Sequence, residues 1–219
     1  MLDPMSSKYT RWSLIFTFIW LMQAHMVNAQ TSIGFKVSPT LMINRISNVP
    51  DTITIESNGV SFRPVVGLFV DFPIGYQYYF SSGIYYASKP ITLNYQKSQG
   101  SLIKEKYILQ YLQIPLTLKL FTSEVALDKK VYAQVGSVIE IKIHEETKSD
   151  MAETIIGFNP AGITLNLGGG MEFRLGTHTF LQAGLSYNRG LANLVETSQV
   201  SDDFVIKNDM ISIDVGVTF

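Results

Sequence analysis

From Ile211 to the C-terminus the chain alternates without a break. Ile211, Ile213, Val215, Val217 and Phe219 are apolar, while Ser212, Asp214, Gly216 and Thr218 are polar or small. A period of two predicts a strand with one apolar and one polar face. The same alternation runs through residues 112–120, 131–143, 163–175 and 181–187, and more softly through 33–43, 62–72 and 78–93. The pattern therefore predicts eight strands. Their connections alternate as well. Short ones fall at 73–77, 122–130 and 176–178, and longer ones at 44–60, 96–106, 144–159 and 193–207. Short turns at one end and long loops at the other are the pattern of an outer-membrane barrel, with both chain ends on the short, periplasmic side. The fold class expected is all-β: an eight-stranded antiparallel transmembrane β-barrel with short periplasmic turns and longer external loops. It forms one domain over residues 30–219.

Alternation alone does not say which face is outside. A soluble ligand-binding barrel of the lipocalin kind has the apolar face within, and a membrane barrel reverses it. Three features favour the membrane. Only 16% of the chain is charged, against about 25% in ordinary soluble domains, and the polar face is mostly Gly, Ser, Thr, Asn and Gln. Aromatic residues gather near the short turns (Phe72, Tyr76, Tyr78, Phe121, Phe173, Phe180, Phe219) and near the long loops (Tyr86, Tyr107, Tyr111, Phe158, Tyr187), as two interfacial belts would. Finally, the chain ends in Phe219, with apolar residues two, four, six and eight positions before it.

Residues 1–29 read as a signal peptide. Lys8 and Arg11 precede the apolar run from Trp12 to Met22, and Val27-Asn28-Ala29 offers a cleavage site. The rival reading, a membrane anchor, needs about twenty apolar residues, and this run is shorter. The mature chain is expected to begin at Gln30. Its formal charge falls from −1 to −2 as Asp3, Lys8 and Arg11 leave. A chain so weakly charged, with no basic patch, is not a nucleic-acid binder. The absence of cysteine excludes disulfides, thiolate nucleophiles and cysteine metal sites.

Several motifs are more specific. Phe219 at the end of an alternating last strand looks like the assembly signal read by the barrel-insertion machinery. Tyr111-Leu112-Gln113-Ile114-Pro115-Leu116, then Leu167-Gly168-Gly169-Gly170-Met171-Glu172, then Tyr187-Asn188-Arg189-Gly190-Leu191-Ala192-Asn193 follow one another in the chain. In order and spacing they resemble the PorT-like outer-membrane β-barrel family. The resemblance implies residence in the cell outer membrane and, through a founding member, an accessory role in protein secretion.

Candidate chemistry is sparse. His144 borders a long loop beside Glu145 and Glu146, and His178 lies at a short turn; neither has a second histidine at metal-binding spacing. Gly168-Gly169-Gly170 lacks the Lys and Ser/Thr of a phosphate loop and falls within a strand, where glycine relieves crowding. Pro115 removes a ladder donor in mid-strand, which a bulge or bend would accommodate. A bulge near Tyr111 would also reconcile Tyr107, Leu109 and Tyr111 with the opposite apolar phase from Leu112 onward. The inward face is expected to carry Lys36, Asp71, Lys119, Glu140, Lys142, Glu172, Arg174 and Asp214, read as a charge network filling the lumen or as an ion path. Loops 144–159 and 193–207 are acidic, and 96–106 is basic through Lys97, Lys104 and Lys106. The expected function is non-enzymatic, structural or interacting, with no cofactor. The expected partners are outer-membrane lipid, the assembly machinery and a partner protein at the external loops. A narrow channel and a lipid-modifying barrel enzyme are the alternatives.

Overall fold

Period-two sequence can satisfy its backbone in a membrane only by closing on itself, since an open sheet edge has no partner in lipid. The computed structural model does so. It describes residues 31–47, 53–57, 59–97, 103–148, 154–198 and 204–219, and residues 1–29, expected from the sequence to be a signal peptide, lie outside the described residues. The strands are β1 (Ser32–Ser47), β2 (Ile53–Ser57), β3 (Val60–Pro73), β4 (Tyr78–Lys97), β5 (Ile103–Phe121), β6 (Lys129–Thr147), β7 (Ile155–Phe158), β8 (Ala161–Arg174), β9 (Phe180–Gly190), β10 (Val195–Ser198) and β11 (Val205–Thr218). Among the described residues there is no helix. Eight long strands close in the order β1-β3-β4-β5-β6-β8-β9-β11 and back to β1, antiparallel throughout. The last strand meets the first from Gly34 opposite Thr218 to Ser47 opposite Val205.

The outward row is apolar and open. Phe35, Leu41, Leu68, Ile84, Leu116, Leu118, Leu167, Leu185 and Ile213 are all exposed, while Thr40, Thr117, Asn166, Ser186 and Ser212 are buried inside. That sign excludes the soluble barrel, whose apolar rows would face inward.

Three details differ from the sequence reading. First, the long loops are not plain loops. β2 continues the wall above β3 by pairing with the end of β4, from Ile53 opposite Lys97 to Ser57 opposite Leu93. β7 and β10, from the two acidic loops, pair with each other. Second, β5 keeps one phase. Tyr107, Leu109 and Tyr111 are buried inside together with Gln113, Thr117 and Lys119. A register shift does fall at Gln110/Tyr111, but the extra residue belongs to β6. Gln110 faces His144 and Tyr111 faces Lys142, which leaves Ile143 between them. Pro115 causes no shift; it stands opposite Val138 in unbroken register. Third, Tyr107, Tyr111 and Phe158 are core residues rather than belt residues. Phe121 is also inside, packed on Tyr79 and Tyr132. Among the described residues the exposed aromatics are Phe35, Tyr76, Tyr78, Phe80 and Phe219 toward the short end and Phe62, Tyr86 and Tyr187 toward the long end.

The cause of the second and third differences is a change of solvent along the strands. β4, β5 and β6 have 20, 19 and 19 residues, whereas crossing the bilayer takes about 9–11. Their external halves therefore stand clear of lipid and pack as a water-soluble protein does, with apolar side chains inward. Ile91, Leu93, Tyr107, Leu109 and Tyr111 from the wall, Ile155 and Phe158 from β7, Leu194, Val195, Phe204 and Ile206 form one buried cluster. It caps the barrel.

Glycine matters where the lumen is tightest. The Phe69 ring packs against Gly34, and a Cβ on Gly34 would come within 2.5 Å of that ring and 2.7 Å of the Val217 carbonyl. Gly34→Val is expected to destabilise the barrel by about 1–3 kcal/mol, as overpacking does, read from urea unfolding in detergent.

Candidate functional site: the lumen and its cap

Inward positions of neighbouring strands meet across a space that side chains can fill. The charges there form separate pairs. At mid-height Lys89 of β4 reaches across β5 to Glu140 of β6, its Nζ 2.7 Å from both carboxylate oxygens. Gln113 Nε2 donates to the same carboxylate at 2.7 Å, and the ammonium lies 5.0 Å from the Tyr111 ring centroid. The side chains are 0% and 2% exposed. Closer to the periplasm, Lys119 donates to Asp71 at 2.8 and 3.0 Å and to Gln182 Oε1 at 3.3 Å. Gln182 in turn donates to Glu172 at 3.0 Å. On the opposite wall Lys36 lies 3.8 Å from Asp214, whose carboxylate also accepts from the Ser38 hydroxyl.

The structure thus brings Lys119 and Glu172 together through Gln182, and sets Asp214 and Glu140 in pairs of their own. Lys142 and Arg174 stand at the two ends of the barrel. Lys142 pairs with Glu145 at 2.6 Å and donates to the Phe158 carbonyl, tying the wall to the cap. Arg174 is half exposed at the periplasmic rim, 3.9 Å from Asp128 of a turn and over the Phe180 ring. The expected single network is corrected to three inner pairs, because only side chains at matching heights meet across the lumen. Lys89, a partner the sequence reading missed, shares the parity of Ser81 and Gly83 on its strand; that parity was the available signal.

Between the pairs a cavity of about 60 Å³ remains, lined in part by Tyr85, Gln113, Thr117, Gln182 and Ser212. It has room for a few waters. Above it the cap is fastened by polar contacts. Buried Glu105 accepts from the Thr154 amide at 3.2 Å and from the Tyr107 hydroxyl at 2.7 Å, and that hydroxyl accepts from the Ile155 amide. Asn193 Oδ1 accepts from the amides of Val195 and Ile206. Asn159 Nδ2 donates to the carbonyls of Asn193 and Val195.

Elsewhere the candidate chemistry is dispersed. His144 is exposed opposite Gln110, and His178 is exposed in the β8–β9 turn. Among the described residues no three His, Cys, Asp or Glu side chains converge as metal ligands would. The glycine run lies within β8, where Gly170 faces Gly184. Phe219 is 68% exposed, and its amide donates to the Ile33 carbonyl at 2.9 Å, at the closing seam.

A family model described as outer membrane protein beta-barrel domain matches residues 23–196. OprG from Pseudomonas aeruginosa superposes with a TM-score of 0.55 at 9% identity, over 86% of this chain and 96% of that one. Neisserial surface protein A gives 0.45 at 11% identity, over 87% and 97%. The N-terminal β-barrel domain of Pseudomonas aeruginosa OprF gives 0.40 at 10%, over 88% and 100%. At such identities the likeness is one of fold, carried by the OprG superposition. No curated protein matches the chain.

Proposed function

Because the chain belongs to the outer membrane protein beta-barrel domain family, resident in the outer membrane, we propose that it is a closed, non-conducting and non-enzymatic barrel whose work is done at its external surface. One observation carries the reading: the lumen is filled by paired charges at mid-height and nearer the periplasm, and sealed above by the apolar cluster around Tyr107, Phe158 and Phe204. A conducting barrel needs a continuous water path, and a space of about 60 Å³ beneath a dry cap supplies none. The cap also gives the external loops a fixed platform, as a binding or scaffolding surface requires. The PorT-like motifs support the finer assignment, an accessory of protein secretion with a partner at those loops, after removal of residues 1–29 as a signal peptide.

The test is planar-bilayer recording on the purified protein. Negligible single-channel conductance is expected. Steady open-channel currents at wild-type sequence would overturn the reading in favour of a channel. Cross-linking in outer membranes followed by affinity purification is the route to the partner.

A further inference from the structure

The outward face of β1, β11 and β9 carries a compact group of charges at the external edge of the lipid-facing band. Arg45 stands opposite Lys207; Asp209 stands between Ile43 and Arg189. Asp209 is only 7% exposed, because it is fully engaged. Arg45 Nε lies 2.7 Å from Oδ2 and Nη2 donates to Oδ1 at 2.9 Å. The Tyr187 hydroxyl donates to Oδ2 at 3.2 Å and the Gly190 amide to Oδ1 at 3.1 Å. The one acid is thus matched by the one Arg45. Arg189 is exposed and Lys207 partly so, and among the described residues neither has an ion-pair partner.

These two cations border hydrocarbon-facing surface. Ile43, Leu165 and Ile211 are exposed around them, and Tyr187 marks the interface. A cation on the outer wall of a barrel is costly at the bilayer midplane and tolerated at headgroup depth. Lys207 and Arg189 are diagonal neighbours across one strand pair, about 7–8 Å apart at the backbone. Side chains of this length converge on one phosphate from that spacing, and Arg adds a planar fork suited to phosphate oxygens. An anion that meets this patch and also lies against Ile43, Leu165 and Ile211 must carry acyl chains.

We propose that Arg189 and Lys207 bind the phosphate of a phosphorylated lipid in the external leaflet, with the Arg45–Asp209 pair fixing the strands that present them. This site is independent of whether the lumen conducts.

The test is titration of the full mature barrel, in neutral detergent micelles, with a fluorescent bisphosphorylated glucosamine-disaccharide lipid. Each cation near an anionic lipid surface is expected to contribute about fivefold, so R189Q/K207Q weakens binding about 25-fold. K104Q, which removes an exposed lysine from β5 on another wall, leaves binding unchanged. The dephosphorylated lipid binds wild type and variant equally weakly. Millimolar inorganic phosphate does not displace the bound lipid. Unchanged affinity in R189Q/K207Q, or equal affinity for the dephosphorylated lipid, would overturn the proposal. So would complete displacement by inorganic phosphate, which would assign a free-anion site. Should the double variant lack the heat-modifiable folded form, R189Q alone decides: a fivefold loss supports the site and unchanged affinity removes it.

Discussion

Glu140→Ala is expected to lower the unfolding free energy of the barrel by about 3–5 kcal/mol, the usual result of leaving one buried charge without its partner. The Lys89 ammonium has no exposed surface and would retain only the Tyr111 ring beside it. Against a total stability of about 5–15 kcal/mol for a typical protein, this is a large fraction. The pair K89M/E140L removes both charges and is expected to recover most of the loss, since apolar replacement of a buried pair is often neutral or stabilising. Arg174→Ala provides the contrast. Its partner Asp128 is at 3.9 Å and both are about half exposed, so the expected change is about 0–1 kcal/mol. Urea unfolding in detergent, followed by the heat-dependent gel shift of the folded barrel, reads all three. A Glu140→Ala variant as stable as wild type would show that the pair does not hold the lumen.

Deletion of Phe219 is expected to remove most of the folded protein from the outer membrane at matched synthesis. The residue contributes little to packing in the finished barrel, because most of its side chain is exposed to lipid. What it shares with the barrel is the seam: its amide and carbonyl pair with Ile33 at the start of β1. A terminal aromatic on an alternating last strand leads us to expect a second role, recognition by the insertion machinery. The two roles separate in one comparison. Phe219→Leu keeps the seam's backbone pairing and an apolar side chain but loses the aromatic ring. A recognition role requires reduced insertion in vivo for both variants, with Phe219→Leu folding normally from urea into detergent. Equal amounts of folded wild type and deletion in outer membranes would remove the assignment.

The eight long strands were legible because a barrel wall in lipid imposes period two on the sequence, most plainly where one face is lipid and the other is a polar lumen. β11 and β8 meet that condition along most of their length. β5 does not. Tyr107, Leu109 and Tyr111 sit on the inward face where the outside is water, so their apolar character means the opposite of what it means at Leu116 and Leu118. Sequence periodicity cannot reveal where along a strand the surrounding solvent changes. The same limit hid β7 and β10. Phe158 read as a belt aromatic, and Ile155, Leu194 and Val195 fell inside acidic loops with no alternation to mark them, because the side chains that cover them come from β4, β5 and β11. Lys89 was missed for a related reason: its partner lies two strands away, and the parity it shares with Ser81 and Gly83 is faint in the soft alternation of β4.

The cap has a consequence for the timing of assembly. Its members are drawn from β4, β5, β7, β10 and β11 and from the segments that join them, and Leu194 donates its amide to the carbonyl of Ile206 on the last strand. Local contacts cannot hold such a cluster, and a nucleus built from distant segments is slow to form. Until β11 is in place, the cap's apolar side chains have no enclosed space to occupy. Cap ordering and seam closure are therefore one kinetic event. Amide protection at Ile155–Phe158 and Val195–Ser198 should rise together with protection at the β1–β11 seam rather than before it.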